Sequence, residues 1–309
     1  MLLDIKITYG TENIQIDVTD ICLQKLRYRS SIIIPRGDCN RSHFFTDPVF
    51  NTVKSVFITV DNITTVYDDS TVVKIVLNNH NKYYSITTLS SQTIDNMLSH
   101  IHHKYPISYG NWNDEYPEQI MACMYLTGDE KVLEIGGNIG RNTLVISALL
   151  QNKQNLLTFE SDESIAVKLQ ENRDKNGLQF HIEDCALSKR KLIQQGWETY
   201  VSDVVKPGFK EVKTKTLDEI KRKYSSIQFD TLVIDCEGAF YYILMDMPDI
   251  LDNIRLIIME NDYPSKEHKE YVDSFLTAHN FFVHYKEKGG LDTVPCHHNF
   301  FEVWIKLET

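Results

Sequence analysis

Residues 131–150, KVLEIGGNIGRNTLVISALL, decide how the chain is read. An apolar run of strand character, KVLEI, stops at Gly136, Gly137 and Gly140, and apolar residues then resume at helical spacing. Glycine permits the tight turn that joins a strand to a helix and lets backbone approach a ligand, while the first N–H groups of the helix stand unpaired beyond it. A polar ligand belongs at such a turn. The dinucleotide fingerprint requires glycine at i, i+2 and i+5, whereas Gly136 is followed by Asn138 and Arg141 at those offsets. Glu134, at the end of the strand, is a second objection to a pyrophosphate, which it repels. The same carboxylate attracts the amino group and sulfonium of S-adenosylmethionine. A plain strand-to-helix turn without a ligand is the alternative.

Outward from this turn, strands and helices alternate in the manner that builds a parallel sheet with right-handed crossovers. The pattern predicts strands at 131–135, 156–160, 178–182, 230–235, 255–260, 281–285 and 299–306, with helices at 140–151, 162–175, 216–224, 239–246 and 265–278. The excursion KRKLIQQGWETYVSDVVKPGFKEVKTKT, residues 189–216, reads as a hairpin. Before residue 88 the grammar is different. LDIKITY, NIQIDV, SSIIIP, SVFITV, TTVYDD, TVVKIVL and YYSITT are short, several alternate apolar with polar, and turn residues such as Asn-Asn-His-Asn separate them, which predicts a small antiparallel sheet. SQTIDNMLSHIHHK (91–104) places Ile94, Met97, Leu98 and Ile101 at helical spacing and closes that region. Two domains are expected: 1–104, β-rich, and 105–309, α/β. The first is assigned acceptor recognition or self-association, so homo-oligomers stay open. The polar stretch around Arg36, Asp38, Asn40, Arg41 and Asp47 reads as a binding loop or a long turn.

Composition narrows the class. A 42% hydrophobic content over 309 residues is enough to bury a core. The net charge of -11 argues against nucleic acid and anionic membrane as partners. No apolar run approaches the roughly 18 residues that span a bilayer, and the opening MLLDIKITYG has no signal-peptide pattern. Six scattered cysteines without a C-x-x-C pair suit a reducing compartment. A cytoplasmic protein is expected.

Acids recur at the ends of the predicted strands. Glu160 ends the second, where a bidentate acceptor suits two ribose hydroxyls. Asp184 follows the third, placed to accept from an adenine amino group, with Ala186 and Leu187 offering apolar contact to the ring, and Asp235 ends the fourth. Ligands of open α/β sheets collect at the carboxyl ends of the strands, so these residues converge on one crevice with Glu134.

The blocks VLEIGGNIGRNTL (132–144), LLTFESDES (156–164), EDCALS (183–188), VKTKTLDEI (212–220), DTLVIDCEGAF (230–240) and LIIMEND (256–262) resemble, in this order, the FkbM family of S-adenosylmethionine-dependent methyltransferases. The resemblance covers roughly residues 115 to 306. Glu134, Gly137 and Phe240 depart from the family's usual aspartate, alanine and glutamate. It implies a Rossmann-like class I methyltransferase fold with a seven-stranded, mostly parallel sheet, and methyl transfer to oxygen, often a hydroxyl of a sugar or glycan. The candidate cofactor-binding residues are Glu134, Gly136, Gly137, Asn138, Gly140, Asn142, Thr143, Glu160, Ser161, Asp184, Cys185, Ala186 and Asp235.

A hydroxyl acceptor must lose a proton, and the candidate catalytic residues are Asp235, Glu237 and His268, with Glu237 the first choice of base; His284, His297 and His298 are weaker candidates. Asp235, Glu260 and Asn261 offer oxygen ligands of the kind that suits Mg²⁺, resembling in placement the metal site of catechol-type O-methyltransferases. Tyr109, Trp112 and Tyr116 either face a sugar ring or hold their loop down. The alternative to catalysis is a glycan-binding or assembly protein that retains the scaffold.

Overall fold

The structure, a computed structural model, describes residues 5–77, 83–196, 198–291 and 294–307. Met1–Asp4, the expected turn at Asn78–Asn81 and Trp197 of the expected hairpin lie outside the described residues. The chain forms two compact units that meet in sequence at Asn96 and Met97. This division falls inside the helix Ser91–Lys104, where the sequence reading places it after Lys104.

The first unit holds two four-stranded antiparallel sheets. One runs in the order Gln15–Asp17, Ile5–Gly10, Ser55–Val60, Ile63–Tyr67, and the other Arg27–Tyr28, Ser31–Ile34, Val72–Leu77, Tyr83–Leu89. Two helices, Thr19–Lys25 and Asp38–Phe45, connect strands of this unit. Asp38–Phe45 is the polar stretch read as a loop. It is held by Arg41, which is fully buried and donates from Nε to the Pro35 carbonyl at 2.9 Å and from Nη2 to the Thr71 carbonyl at 2.6 Å. Lys54, also buried, bridges Asp38 at 2.9 Å and Asp47 at 2.8 Å.

In the second unit the strands are β1 (Val132–Ile135), β2 (Leu156–Phe159), β3 (His181–Glu183), β4 (Thr231–Ile234), β5 (Leu256–Glu260), β6 (Phe281–Glu287) and β7 (Phe301–Lys306). They form one seven-stranded sheet in the order 3-2-1-4-5-7-6, and only β7 runs antiparallel to its neighbours. Six helices are interleaved: α1 (Tyr116–Tyr125), α2 (Arg141–Leu149), α3 (Glu163–Lys175), α4 (Leu217–Lys223), α5 (Phe240–Asp246) and α6 (Lys266–Ala278). β1, β2 and β4 are buried along their whole length, as strands covered on both faces must be. The strand order reverses between β1 and β4, which opens a crevice at their carboxyl ends.

Between β3 and α4 the chain builds more than the expected hairpin. Ala186–Leu187 pairs with Thr214–Lys215, and Leu192–Gln195 sits between Glu198–Val201 and Lys210–Val212 in a three-stranded antiparallel sheet. α4 then starts on a capping box: Glu219 N–H donates to Thr216 Oγ1, and the Glu219 carboxylate accepts from Thr216 N–H at 2.7 Å.

Candidate active site

The crevice at the β1–β4 junction holds a cavity of about 450 Å³. Its floor is Ile135, Gly136 and Asn138 at the end of β1, with Asp235, Cys236 and Glu237 following β4. One wall is Glu160 and Ser161 after β2 and Cys185, Ala186 and Leu187 after β3. The excursion sheet closes another side with Leu192, Thr199, Tyr200 and Val201. Gly136 is obligatory here. It has φ +98°, and a Cβ at this position would lie 1.5 Å from the carbonyl oxygen of Asp235. The two strand ends therefore touch backbone to backbone.

Glu160 is the fixed polar feature of the wall. Only 7% exposed, it accepts Asn138 N–H at 2.9 Å on one oxygen and Asp162 N–H at 2.7 Å on the other. Burial raises its pKa, and these donors oppose the shift. Each oxygen keeps a lone pair for a ligand hydroxyl.

Glu134 stands elsewhere. Successive strand residues point to opposite faces; Ile135 lines the cavity, so Glu134 faces away from it, under α2, where it accepts from Thr143 Oγ1 at 2.6 Å. Burial pushes its pKa up to about 7. Thr143 is thereby a partner of Glu134 and not part of the cavity lining. Gly137 and Gly140 make room instead: a Cβ on Gly137 would meet Thr158 at 2.2 Å, and one on Gly140 would meet Leu169 at 2.6 Å. Asp184 turns outward to Lys213 at 3.2 Å and is more than half exposed.

The N-terminus of α2, where a dinucleotide would rest its pyrophosphate, is occupied by the protein itself. Glu115 accepts Asn142 N–H at 3.2 Å, Arg141 Nη1 at 2.8 Å and Asn138 Nδ2 at 3.1 Å. Arg141 is held further by the Asn111 carbonyl and Asp114. A carboxylate at this pole takes the partial positive charge that a phosphate would use. Asn142 therefore serves the plug through its N–H.

Beyond β4 and β5 lies a cluster of acids. Glu118, from α1, joins Asp235 and Glu260, and one oxygen from each lies within 4.8 Å of the others. Glu118 is 5% exposed and its Oε2 is buried without a hydrogen-bond partner. Burial, and then the neighbouring Glu260, lift Asp235 well above the carboxylate range. Burial and contact with Glu118 push Glu260 up to about 10, and burial takes Glu118 to about 7. Glu237 stands at the exposed rim with φ +52°, a left-handed backbone that costs a non-glycine residue strain. Partial burial and the adjoining Asp262 carboxyl raise it to about 8. Among the described residues no lysine, arginine or histidine pairs with Glu118, Asp235, Glu237 or Glu260.

The remaining candidates are separately engaged. Asn261 is fully buried and its Nδ2 donates to the Asn299 carbonyl at 2.7 Å. His268 stacks on Tyr241 at 3.9 Å between ring centroids and does not line the cavity. His284 is buried against the Tyr125 hydroxyl at 2.8 Å, and His297 Nδ1 meets the Gly289 carbonyl at 2.8 Å. Trp112 stacks on His102 at 4.1 Å, Tyr116 meets that ring edge-on, and the Tyr109 hydroxyl donates to Glu171, so these aromatics tie their segment down. Sequence reasoning missed Glu115 and Glu118. Both come from NWNDEYPEQ (111–119), outside any strand-end motif, and their only signal was an acid pair flanking a proline at a helix start.

No family model matches the chain, and no curated protein matches it. Solved structures similar to it include a putative O-methyltransferase from Klebsiella pneumoniae, 17% identical, covering 70% of this chain and 90% of that one at a TM-score of 0.39. An O-methyltransferase from Bacillus cereus in complex with SAH is 13% identical, covering 71% and 92% at a TM-score of 0.38. A putative tRNA (m1A22) methyltransferase from Streptococcus pneumoniae, in complex with S-adenosyl-L-methionine, is 11% identical, covering 62% and 73% at a TM-score of 0.39. No helix among the described residues is long and apolar enough to cross a membrane.

Proposed function

We propose that the second unit is an S-adenosylmethionine-dependent O-methyltransferase acting on a hydroxyl of a sugar, glycan or related small molecule. The observation that carries this reading is the pairing of a hydroxyl-accepting Glu160 in the cavity wall with an α2 N-terminus already filled by Glu115. A nucleoside fits such a site and a pyrophosphate does not. The ordered FkbM-like motif blocks support the same reading and point to oxygen as the acceptor atom.

The cavity's volume and donor set fit the cofactor. Glu160 would accept its ribose hydroxyls, while Cys185, Ala186 and Leu187 would offer an apolar wall to its adenine. Asp235 and the backbone at Gly136 face the remaining polar end. When bound, the cofactor supplies an electrophilic methyl group on a positively charged sulfur, which the acidic wall attracts. In-line displacement depends on alignment, and the cavity floor of β1 and β4, locked at Gly136, provides a rigid platform for it. Glu237 takes the acceptor's proton: its pKa of about 8 places the carboxyl near the range in which a base works best at neutral pH. The first unit is assigned recognition of the acceptor or self-association.

Calorimetry with S-adenosylhomocysteine, NAD and NADP tests the reading. S-adenosylhomocysteine is expected to bind, with the affinity reduced by about tenfold or more in Glu160→Ala, which loses two charge-assisted hydrogen bonds. Binding of NAD or NADP in place of S-adenosylhomocysteine overturns it.

A further inference from the structure

The geometry points to a divalent-cation site formed by Glu118, Asp235 and Glu260. These three carboxylates come from separate elements: α1, the turn after β4, and the end of β5. Each brings an oxygen within 4.8 Å of the other two. Two oxygens on opposite sides of an ion at about 2.1–2.4 Å are about 4.2–4.8 Å apart, so the spacing admits one cation among them.

The second observation is electrostatic accounting at Glu118. Its Oε2 is buried and finds no donor, although its carboxylate lies against that of Glu260. Ionised carboxylates are acceptors only, so two of them facing each other must share a proton or a cation. A single cation among the three carboxylates answers all of them at once. No basic side chain among the described residues takes this place.

The donors are all oxygen, and no cysteine or histidine belongs to the cluster, which selects a hard ion of the Mg²⁺ or Mn²⁺ class over zinc or copper. Two of the three ligands are half-buried, and one of these, Asp235, also lines the crevice. Its role there rests on the methyl-transfer reading: the ion holds an acceptor oxygen beside the cavity and lowers the pKa of its hydroxyl. Glu237, two residues beyond Asp235, remains the proton acceptor.

The test is Mn²⁺ binding to the full chain, read by the electron paramagnetic resonance of free Mn²⁺, for the wild type, Glu118→Gln and Glu260→Gln, with folding checked by circular dichroism. The expected result is one site per chain, weakened by about tenfold or more in both variants. Asp235→Asn replaces either variant that does not fold. No site up to about 1 mM Mn²⁺ overturns the proposal, because the three carboxylates are then held by protons. An affinity unchanged in one or both variants also overturns it, because the ion then sits on surface acids. S-adenosylhomocysteine affinity in the same samples separates the two readings. Cofactor binding without Mn²⁺ removes the ion alone, and Mn²⁺ binding without the cofactor removes the methyl-transfer reading alone.

Discussion

Glu134 shows how one side chain can obey its motif and still face the other way. Its place at the end of β1 is written in K-V-L-E-I-G-G, but the face it takes follows from which of two alternating residues packs under α2, and that is settled by Thr143, nine positions on. The cavity-lining residues Glu160, Cys185, Ala186, Asp235 and Glu237 were legible because they follow strand ends in an open α/β sheet. Glu115 and Glu118 were not, because what they do depends on where α1 lies against the sheet. The protonation of Glu134 gives a pH test. Its folded-state pKa, about 7, lies above the unfolded value of 4.5, so the native state binds the extra proton between these limits. Its stabilising contribution is complete below pH 4.5 and is lost as pH rises through 7, at a cost of up to about 3 kcal/mol. Glu134→Gln is expected to stabilise the unliganded protein at pH 8 by about 1–3 kcal/mol and to make little difference at pH 4.5, measured by urea melts. A variant less stable than wild type at pH 8 would show that the ionised carboxylate is an asset to the fold.

At the scale of elements, the second unit could be read because its strands are apolar runs bounded by turn residues. VLEI, TLVI and LIIME give β1, β4 and β5 almost to the residue. β3 lies later than the apolar pattern of 178–182 predicts: Leu178 and Phe180 are buried ahead of the strand, which occupies His181–Glu183, because an apolar pattern reports burial and not strand pairing. The helix Asp38–Phe45 was invisible for a different reason. Half of its four buried residues, Asn40 and Arg41, are polar, and no apolar stripe announces it. Arg41 binds this helix to the strands around it through backbone carbonyls far apart in sequence. Arg41→Ala leaves the Pro35 and Thr71 carbonyls without their donors and is expected to destabilise the first unit by about 3 kcal/mol or more. Amide hydrogen exchange of Ser31–Ile34 and Val72–Leu77 reads this directly; unchanged protection there would mean that the guanidinium is replaceable by water.

Across the whole molecule, charge dominates. The chain carries a formal -11, and at the crevice of the second unit Glu118, Asp235, Glu237 and Glu260 gather without an ion pair to any lysine, arginine or histidine among the described residues. Repulsion of this kind is weakened by screening. Raising KCl from about 0.02 M to about 0.3 M is expected to lift the melting temperature of the second unit by a few degrees. The sequence of the first unit contains no tryptophan, so tryptophan fluorescence follows the second without a contribution from the first. A melting temperature that falls with salt would mean that the ion pairs, such as Arg141 with Glu115, outweigh the repulsion.

Glu115 also sets a limit on what the site can admit. By lending its own carboxylate to the positive pole of α2, the chain carries an imitation phosphate at the one place where a real one would be cradled. A ligand that carries a phosphate therefore finds this pole already taken. The exclusion of phosphate from this one pole is thus a property of the fold itself.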